Sequence, residues 1–169
     1  MIKDKPLLTK PFLNYFKTVD NRDKTYLEIG SGYSTLYFAK YFKKIVSLEN
    51  DKKWFNKIKK QKFKNVDLKL FNKKNIGDLL IKELNKKPDY VMIDNDPSYI
   101  NRFDFAKFVD ENRKNDFIIL LDNGLWNLDA FNYLRQRYLC LDFFGKRYDD
   151  KVSVTSVFFT EKNYKHLYE

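Results

Sequence analysis

A short glycine turn lies between two carboxylates in the first third of this 169-residue chain. Glu28 comes just before Gly30 and Gly32, and Glu49 ends the next apolar run. Because glycine has no Cβ, backbone N–H groups in such a turn can approach a ligand closely, and the helix predicted to follow adds its electropositive N-terminus. Glu49 stands where a carboxylate can accept hydrogen bonds from both hydroxyls of a ribose. This spacing predicts a bound nucleoside cofactor.

The acid before the glycines limits which nucleoside cofactor fits. A carboxylate at the mouth of the turn repels a pyrophosphate but favours a ligand with an ammonium group and no phosphate. The dinucleotide-binding pattern also requires a third glycine where this chain has Thr35. Both features favour S-adenosylmethionine over NAD or FAD. The predicted cofactor-binding residues are Glu28, Gly30, Ser31, Gly32, Ser34, Glu49, Asn72 and Asp94.

The glycine turn resembles the first motif of the class I S-adenosylmethionine-dependent methyltransferases, which is an acid followed by glycine, any residue and glycine, often with a small hydroxyl residue after it. Glu28, Gly30, Gly32 and Ser34 match this motif. The resemblance implies a Rossmann-like, doubly wound, seven-stranded α/β sheet that is mostly parallel and ends in a C-terminal antiparallel β-hairpin.

The apolar pattern along the chain agrees with that architecture, because helical and strand periodicities alternate as they do in α/β proteins. Residues 1–169 are predicted to form one domain, without linkers or repeats. Helices are expected over 7–19, 34–42, 75–84, 101–112 and 128–138, and strands over 25–29, 44–48, 66–71, 90–93, 117–121, 140–144 and 152–159. A further helix, capped by Asp51, is expected to carry Trp54, Phe55 and Ile58.

Polar residues follow several of the predicted strands, and in a parallel sheet the ligand lies beyond these carboxyl ends. Asp94 ends a buried strand, where a carboxylate is costly unless it contacts a cofactor, metal or substrate, or caps the next turn. Asp122 and Asn123 follow the next strand along the chain. Asn72 could hydrogen-bond an adenine, and a simple turn residue is the alternative.

Asp94, Asp122 and Asn123 resemble the metal ligands of the cation-dependent O-methyltransferases of the catechol and caffeoyl-CoA type. This resemblance implies Mg²⁺ as a second cofactor, held by three oxygen ligands that leave room for an acceptor's hydroxyls. The chain departs from that family in its short glycine turn and in Pro97, near the place where some members carry a lysine base. The short turn and residues 155–159 are similar instead to small bacterial and viral methyltransferases.

A second local resemblance concerns the segment Asn95–Tyr99, which is similar to the Asp/Asn-Pro-Pro-aromatic motif of amino-group methyltransferases. Ser98 interrupts the motif, and the motif is displaced from the strand end, which Asp94 already occupies. A turn containing a proline is the alternative explanation.

Methyl transfer from a sulfonium needs an acceptor placed in line and, for a hydroxyl acceptor, a base. Asp94 and Asp96 are the predicted catalytic bases, and Tyr99, Arg102 and Trp126 could shape the acceptor pocket. The sequence therefore predicts methyl transfer to an undetermined acceptor, with a hydroxyl oxygen favoured. Two alternatives stay open: N-methylation of a nucleobase or protein amide, and a binding module without turnover.

The composition is strongly basic, with a formal net charge of +10. Lysines are scattered along the chain, so a solvated surface is favoured over a phosphate-binding face, even for the dense run at 57–64. A small-molecule acceptor is expected, and the charge leaves a nucleic-acid partner open. Cys140 is expected to be a small buried hydrophobe. Because no signal segment or apolar membrane span is evident, a cytoplasmic protein is expected.

Overall fold

The computed structural model describes residues 5–96 and 98–168. Seven strands form one sheet: β1 (Thr25–Ile29), β2 (Lys44–Glu49), β3 (Val66–Leu70), β4 (Tyr90–Ile93), β5 (Ile118–Leu121), β6 (Leu139–Lys146) and β7 (Val152–Phe159). Their order across the sheet is β3-β2-β1-β4-β5-β7-β6. Strands β1 to β5 pair in parallel, whereas β7 is antiparallel to both of its neighbours. The predicted fold class, including the C-terminal hairpin, is confirmed.

Seven helices connect or flank these strands: α1 (Lys10–Phe16), α2 (Tyr33–Phe38), α3 (Lys52–Lys59), α4 (Ile76–Leu84), α5 (Arg102–Glu111), α6 (Leu128–Arg135) and α7 (Tyr164–Tyr168). The predicted opening helix was too long at both ends. Its start at Lys10 follows from Pro11, which fits only the first turn of a helix. Helix α7 was not predicted. Asp51 caps α3 as expected, because its side chain accepts hydrogen bonds from the backbone N–H groups of Lys53 and Trp54.

Apolar side chains fill both faces of the sheet. Helices α4, α5 and α6 bury Leu80, Ala106 and Leu134 against one face, and α1, α2 and α7 bury Phe12, Phe38 and Leu167 against the other. Strands β4 and β5 are buried at every position, as expected for parallel strands covered on both sides. Among the described residues, every helix is too short or too polar to span a bilayer.

The strand order reverses between β1 and β4, and the carboxyl ends of these strands mark the expected ligand position in a doubly wound sheet. The glycine turn leaves β1 at this point. The backbone N–H of Gly30 donates to Leu48 O (2.8 Å), and the N–H of Asp94 donates to Ile29 O (2.9 Å). The ends of β1, β2 and β4 are thereby fixed relative to one another.

Substitution of Phe38 tests the packing of the core on the α1 and α2 face. This residue is fully buried among the rings of Phe12, Phe16, Tyr26 and Phe42. We expect Phe38→Ala to lower the free energy of unfolding by about 3–5 kcal/mol, since it leaves a cavity. Urea unfolding measures this change, with the exposed Ile81→Ala as the control. Equal losses in the two variants would contradict the assignment of this core.

Candidate cofactor and acceptor cleft

A cleft of about 550 Å³ opens at the carboxyl ends of β1, β2, β4 and β5. This volume is in the range of pockets that bind small ligands. One side comes from the glycine turn and the end of β2, and the other from the segments after β4 and β5 and the β6–β7 turn. The lining residues are Leu7, Gly30, Ser31, Glu49, Asn50, Asp51, Trp54, Asp94, Asp96, Ser98, Tyr99, Arg102, Asp122, Asn123 and Arg147.

Gly30 makes the close approach between the turn and β4 possible. Its φ of +96° lies in the left-handed region, and a Cβ there would be 2.5 Å from Asp94 O and 2.6 Å from Asn95 N. No other residue fits both the backbone conformation and the space. At Gly32 a Cβ would meet only Ser34 Oγ, at 3.9 Å. Gly30 is therefore required by packing, whereas the surroundings of Gly32 are open.

The carboxylate of Glu28 lies behind the turn, fully buried, and does not face the cleft. It accepts hydrogen bonds from Ser34 Oγ (2.6 Å), Ser47 Oγ (2.7 Å) and Thr35 Oγ1. Burial raises the pKa of Glu28 to about 7, and the three hydroxyl donors oppose that shift. Glu28 and Ser34 hydrogen-bond each other beneath the turn and do not line the cleft, so their predicted contact with the cofactor stays a prediction.

Glu49, in contrast, lines the cleft. Its Oε2 accepts a hydrogen bond from the backbone N–H of Ser31 (2.8 Å), and its Oε1 accepts from those of Asn50 (2.8 Å) and Asp51 (2.7 Å). A carboxylate oxygen has two lone-pair sites, so Oε2 keeps one free for a further donor. Burial raises the pKa of Glu49, although the three N–H groups lower it. The carboxylate thus shapes the turn and can also accept a ribose hydroxyl.

Arg102 organises the opposite side of the cleft. Its guanidinium donates to Asp94 Oδ1 (3.0 Å), to Asn95 O (2.9 Å) and to Asp122 O (2.5 Å), which joins the ends of β4 and β5. The Asp94 side chain is 23% exposed and opens on the cleft. Burial raises the pKa of Asp94, and the positive charge of Arg102 opposes the shift. The sequence suggested Arg102 as a wall of the acceptor pocket, and its buried contacts make it a scaffold as well.

Asp122 and Asn123 are held by neighbours that a metal ion would have to displace. Asp122 Oδ1 accepts from Thr155 Oγ1 (2.9 Å), and burial, followed by repulsion from Asp94, raises the pKa of Asp122 to about 8. Asn123 Oδ1 accepts from Arg147 Nη1 (2.7 Å) and Ser153 Oγ (3.0 Å), which uses both of its lone pairs.

These contacts do not support the predicted magnesium site at Asp94, Asp122 and Asn123. The guanidinium of Arg102 bonds Asp94 Oδ1, and that of Arg147 bonds Asn123 Oδ1, so two of the three predicted ligands already have a cationic partner. Among residues 5–96 and 98–168, no group of three or more His, Cys, Asp or Glu side chains is arranged to hold a metal ion. The donor set does not fit Mg²⁺.

The other predicted site residues are divided between the cleft and the surface. Asp96 and Tyr99 line the cleft, and the backbone N–H of Ser98 donates to Asp96 Oδ1 (2.9 Å) and lowers the Asp96 pKa. Pro97, the centre of the motif at 95–99, lies outside the described residues. Asn72 does not line the cleft, and its Oδ1 accepts from Lys74 N (2.8 Å) as a turn residue does.

Trp126 is 54% exposed and does not line the cleft, where the sequence suggested that it shapes the acceptor pocket. Its ring packs 4.9 Å from the Arg147 guanidinium. Arg147 itself was missed by the sequence analysis, as were Trp54, Asn50 and Leu7. Arg147 could have been found from topology, because a hairpin antiparallel to β5 returns its turn to the edge where β5 ends. The other three residues carry no signal of this kind.

Solved structures of methyltransferases match the chain, although no protein-family model and no curated protein does. A candidate O-methyltransferase from Klebsiella pneumoniae is 15% identical, with a TM-score of 0.63, and the match covers 88% of this chain and 76% of that protein. The tRNA methyltransferase TrmK from B. subtilis is 14% identical, with a TM-score of 0.62 and coverage of 94% and 70%.

A third match, a candidate methyltransferase from Streptococcus mutans in complex with SAH (S-adenosylhomocysteine), is 12% identical, with a TM-score of 0.55 and coverage of 90% and 99%. At such identities the likeness establishes the fold and not the activity. The chain has the fold of the class I S-adenosylmethionine-dependent methyltransferases.

The buried carboxyl of Glu28 predicts a specific pH dependence of stability. Its pKa rises from an ordinary 4.5 to about 7 on folding, so its contribution is fully present below pH 4.5 and is lost as the pH rises through 7. We expect Glu28→Gln to reduce the fall in unfolding free energy between about pH 5 and 7.5. Urea unfolding across this range measures the effect, with the exposed Glu111→Gln as the control. Parallel pH profiles for Glu28→Gln and the wild type would contradict the protonation of Glu28.

Proposed function

We propose that the protein transfers a methyl group from S-adenosylmethionine to an acceptor bound in this cleft. The observation that carries the proposal is the glycine turn held against Glu49 at the point where the strand order reverses. The class I methyltransferase fold, and a neighbour that was solved with SAH, support the same cofactor.

The charge of the cleft supports this cofactor over a dinucleotide. Five carboxylic acids and two arginines line it, although the whole chain carries a net charge of +10. The acids are Glu49, Asp51, Asp94, Asp96 and Asp122. Asp122, with a pKa of about 8, is mostly protonated at neutral pH, so the other four acids set the negative charge against the two arginines. This excess of acids attracts the sulfonium and ammonium groups of S-adenosylmethionine and repels a pyrophosphate.

The residues of the glycine turn and of β2 would hold the cofactor. Glu49 Oε2 would accept a ribose hydroxyl through its free lone pair, and the backbone of Gly30 and Ser31 would pass beneath the ligand. Ser31 Oγ lies 2.6 Å from Ser47 Oγ, which fixes its side chain between the turn and β2. When bound, S-adenosylmethionine supplies an activated methyl group, so the protein has to orient the acceptor and exclude water.

Asp94 is the better of the two predicted bases. Burial raises the pKa of Asp94, whereas the Ser98 N–H lowers that of Asp96, so Asp94 holds a proton more strongly. A hydroxyl acceptor needs such a base, and for this reason we favour oxygen over nitrogen. An amine acceptor is the second candidate, because the same two carboxylates can accept hydrogen bonds from an amino group and because one neighbour is a tRNA methyltransferase.

Calorimetric titration with S-adenosylmethionine and SAH tests the cofactor assignment. We expect Glu49→Gln to weaken binding by about ten- to a hundredfold, which corresponds to about 1.4–2.8 kcal/mol for a lost charge-assisted hydrogen bond. Glu111→Gln is the matched control, since it removes one exposed carboxylate far along the chain.

Two results would contradict the assignment: a wild-type protein that binds neither ligand, or a folded Glu49→Gln variant with unchanged affinity. The melting temperature of each variant shows whether the turn stays folded without the Glu49 charge. The same titration in EDTA and in excess Mg²⁺ should give equal affinities, because Arg102 and Arg147 already bond Asp94 Oδ1 and Asn123 Oδ1, two of the three predicted metal ligands.

A further inference from the structure

A lysine-rich face covers α3 and the loop that follows it. It consists of seven exposed lysines, which are Lys52, Lys53, Lys57, Lys59, Lys60, Lys62 and Lys64. No acid occurs between Asp51 and Asp67, so these lysines contribute seven unbalanced positive charges to a chain whose net charge is +10. Within residues 5–96 and 98–168, none of the seven forms an ion pair.

Six of the nineteen other described lysines form ion pairs, at positions 10, 24, 69, 86, 107 and 162. Lys69 pairs with Glu83 (2.8 Å), and Lys86 pairs with the same carboxylate (2.6 Å). The lysine-rich face differs from a mixed, solvated surface because residues 52–66 contain no Asp or Glu, so the two signs of charge are not interspersed along this segment. Unpaired charges of one sign on one element create a local positive potential.

Aromatic rings interrupt the lysine-rich face and connect it to the cleft. Trp54 is 37% exposed and lines the cleft, and Lys57 Nζ lies 4.2 Å from the centre of its ring. Lys57 Nζ also donates to Tyr33 Oη (2.7 Å). Phe63 is 36% exposed in the loop after α3. Positive charges and ring faces thus alternate up to the rim of the cleft.

We propose that the lysine-rich face binds the backbone of a single-stranded nucleic acid and that the methyl acceptor is a nucleotide of that strand. This inference rests on the proposed function. Phosphates pair with lysines without regard to sequence, and exposed aromatic rings stack on bases, which together is the usual chemistry of single-strand binding. The charge distribution predicts how the nucleic acid lies on the protein. The lysine-rich face attracts its phosphates, and the acidic cleft excludes phosphates while it admits a ribose or a base.

A membrane surface fits these observations less well. The large apolar side chains of the face, Trp54 and Phe63, are single and about one-third exposed, and interfacial binding requires a continuous apolar stripe. A docked membrane would also leave the connection between the lysine-rich face and the cleft without a role. A single-stranded nucleic acid accounts for both the unpaired lysines and the connection of the lysine-rich face to the cleft.

Fluorescence anisotropy with a labelled single-stranded RNA of about 20 nucleotides tests the proposal. The variant Lys53→Gln, Lys60→Gln, Lys64→Gln removes three charges from the face without changing a residue that lines the cleft. We expect its affinity to fall by about tenfold or more at moderate salt. The slope of log affinity against log salt should fall by about two, at about 0.7 for each lysine.

The matched control is Lys82→Gln, Lys114→Gln, Lys165→Gln, which removes three exposed lysines outside the face and should change both values much less. All three proteins should bind SAH equally in calorimetry, which separates this proposal from the cofactor assignment. Equal losses in the two triple variants would overturn the proposal. Tighter binding to anionic phosphatidylserine vesicles than to RNA, or no RNA binding by a protein that binds SAH, would overturn it as well.

Discussion

The buried carboxylate of Glu28 is the constraint on which the cleft depends. A carboxylate without solvent is costly, and three hydroxyl donors from α2 and β2 offset that cost. The same contacts fix the start of α2 against β1 and β2. Thr35 Oγ1 also accepts the backbone N–H of Gly32 (3.0 Å), which extends the network into the turn. The conformation of the glycine turn therefore follows from a buried carboxyl group that does not line the cleft.

A second hydrogen-bond network joins the ends of β4 and β5, as the contacts of Glu28 join β1 and β2. The Arg102 guanidinium holds Asp94 and two backbone carbonyls at the ends of these strands, and Arg147 holds Asn123. In a cation-dependent enzyme a metal ion would join such oxygens. In this protein arginines join them, so the cleft combines protein cations with carboxylates and keeps Asp94 at its surface.

The sequence predicted the order of strands and helices because apolar periodicity records which face of each element is buried. Strands β1, β4 and β7 have the predicted bounds, and Asp51 caps α3 as its position before the helix indicates. The chemistry of the strand ends was harder to predict. Glu28 and Asp94 both carry a carboxyl group at the carboxyl end of a parallel strand, yet one lies behind the turn and the other in the cleft. Which way each carboxylate points depends on hydroxyls and guanidiniums distant in sequence, such as Ser47 and Arg102.

Backbone amide NMR during titration with SAH tests most directly the claim that the glycine turn and Glu49 form the cofactor site. The account predicts the largest chemical-shift changes at Ser31, Gly32, Asn50 and Asp51, because their N–H groups lie in the turn or donate to Glu49. Small changes are expected at the start of β7, on the far side of the Arg147 contacts. Binding that leaves the amides of the turn and of residues 49–51 unshifted would contradict the account.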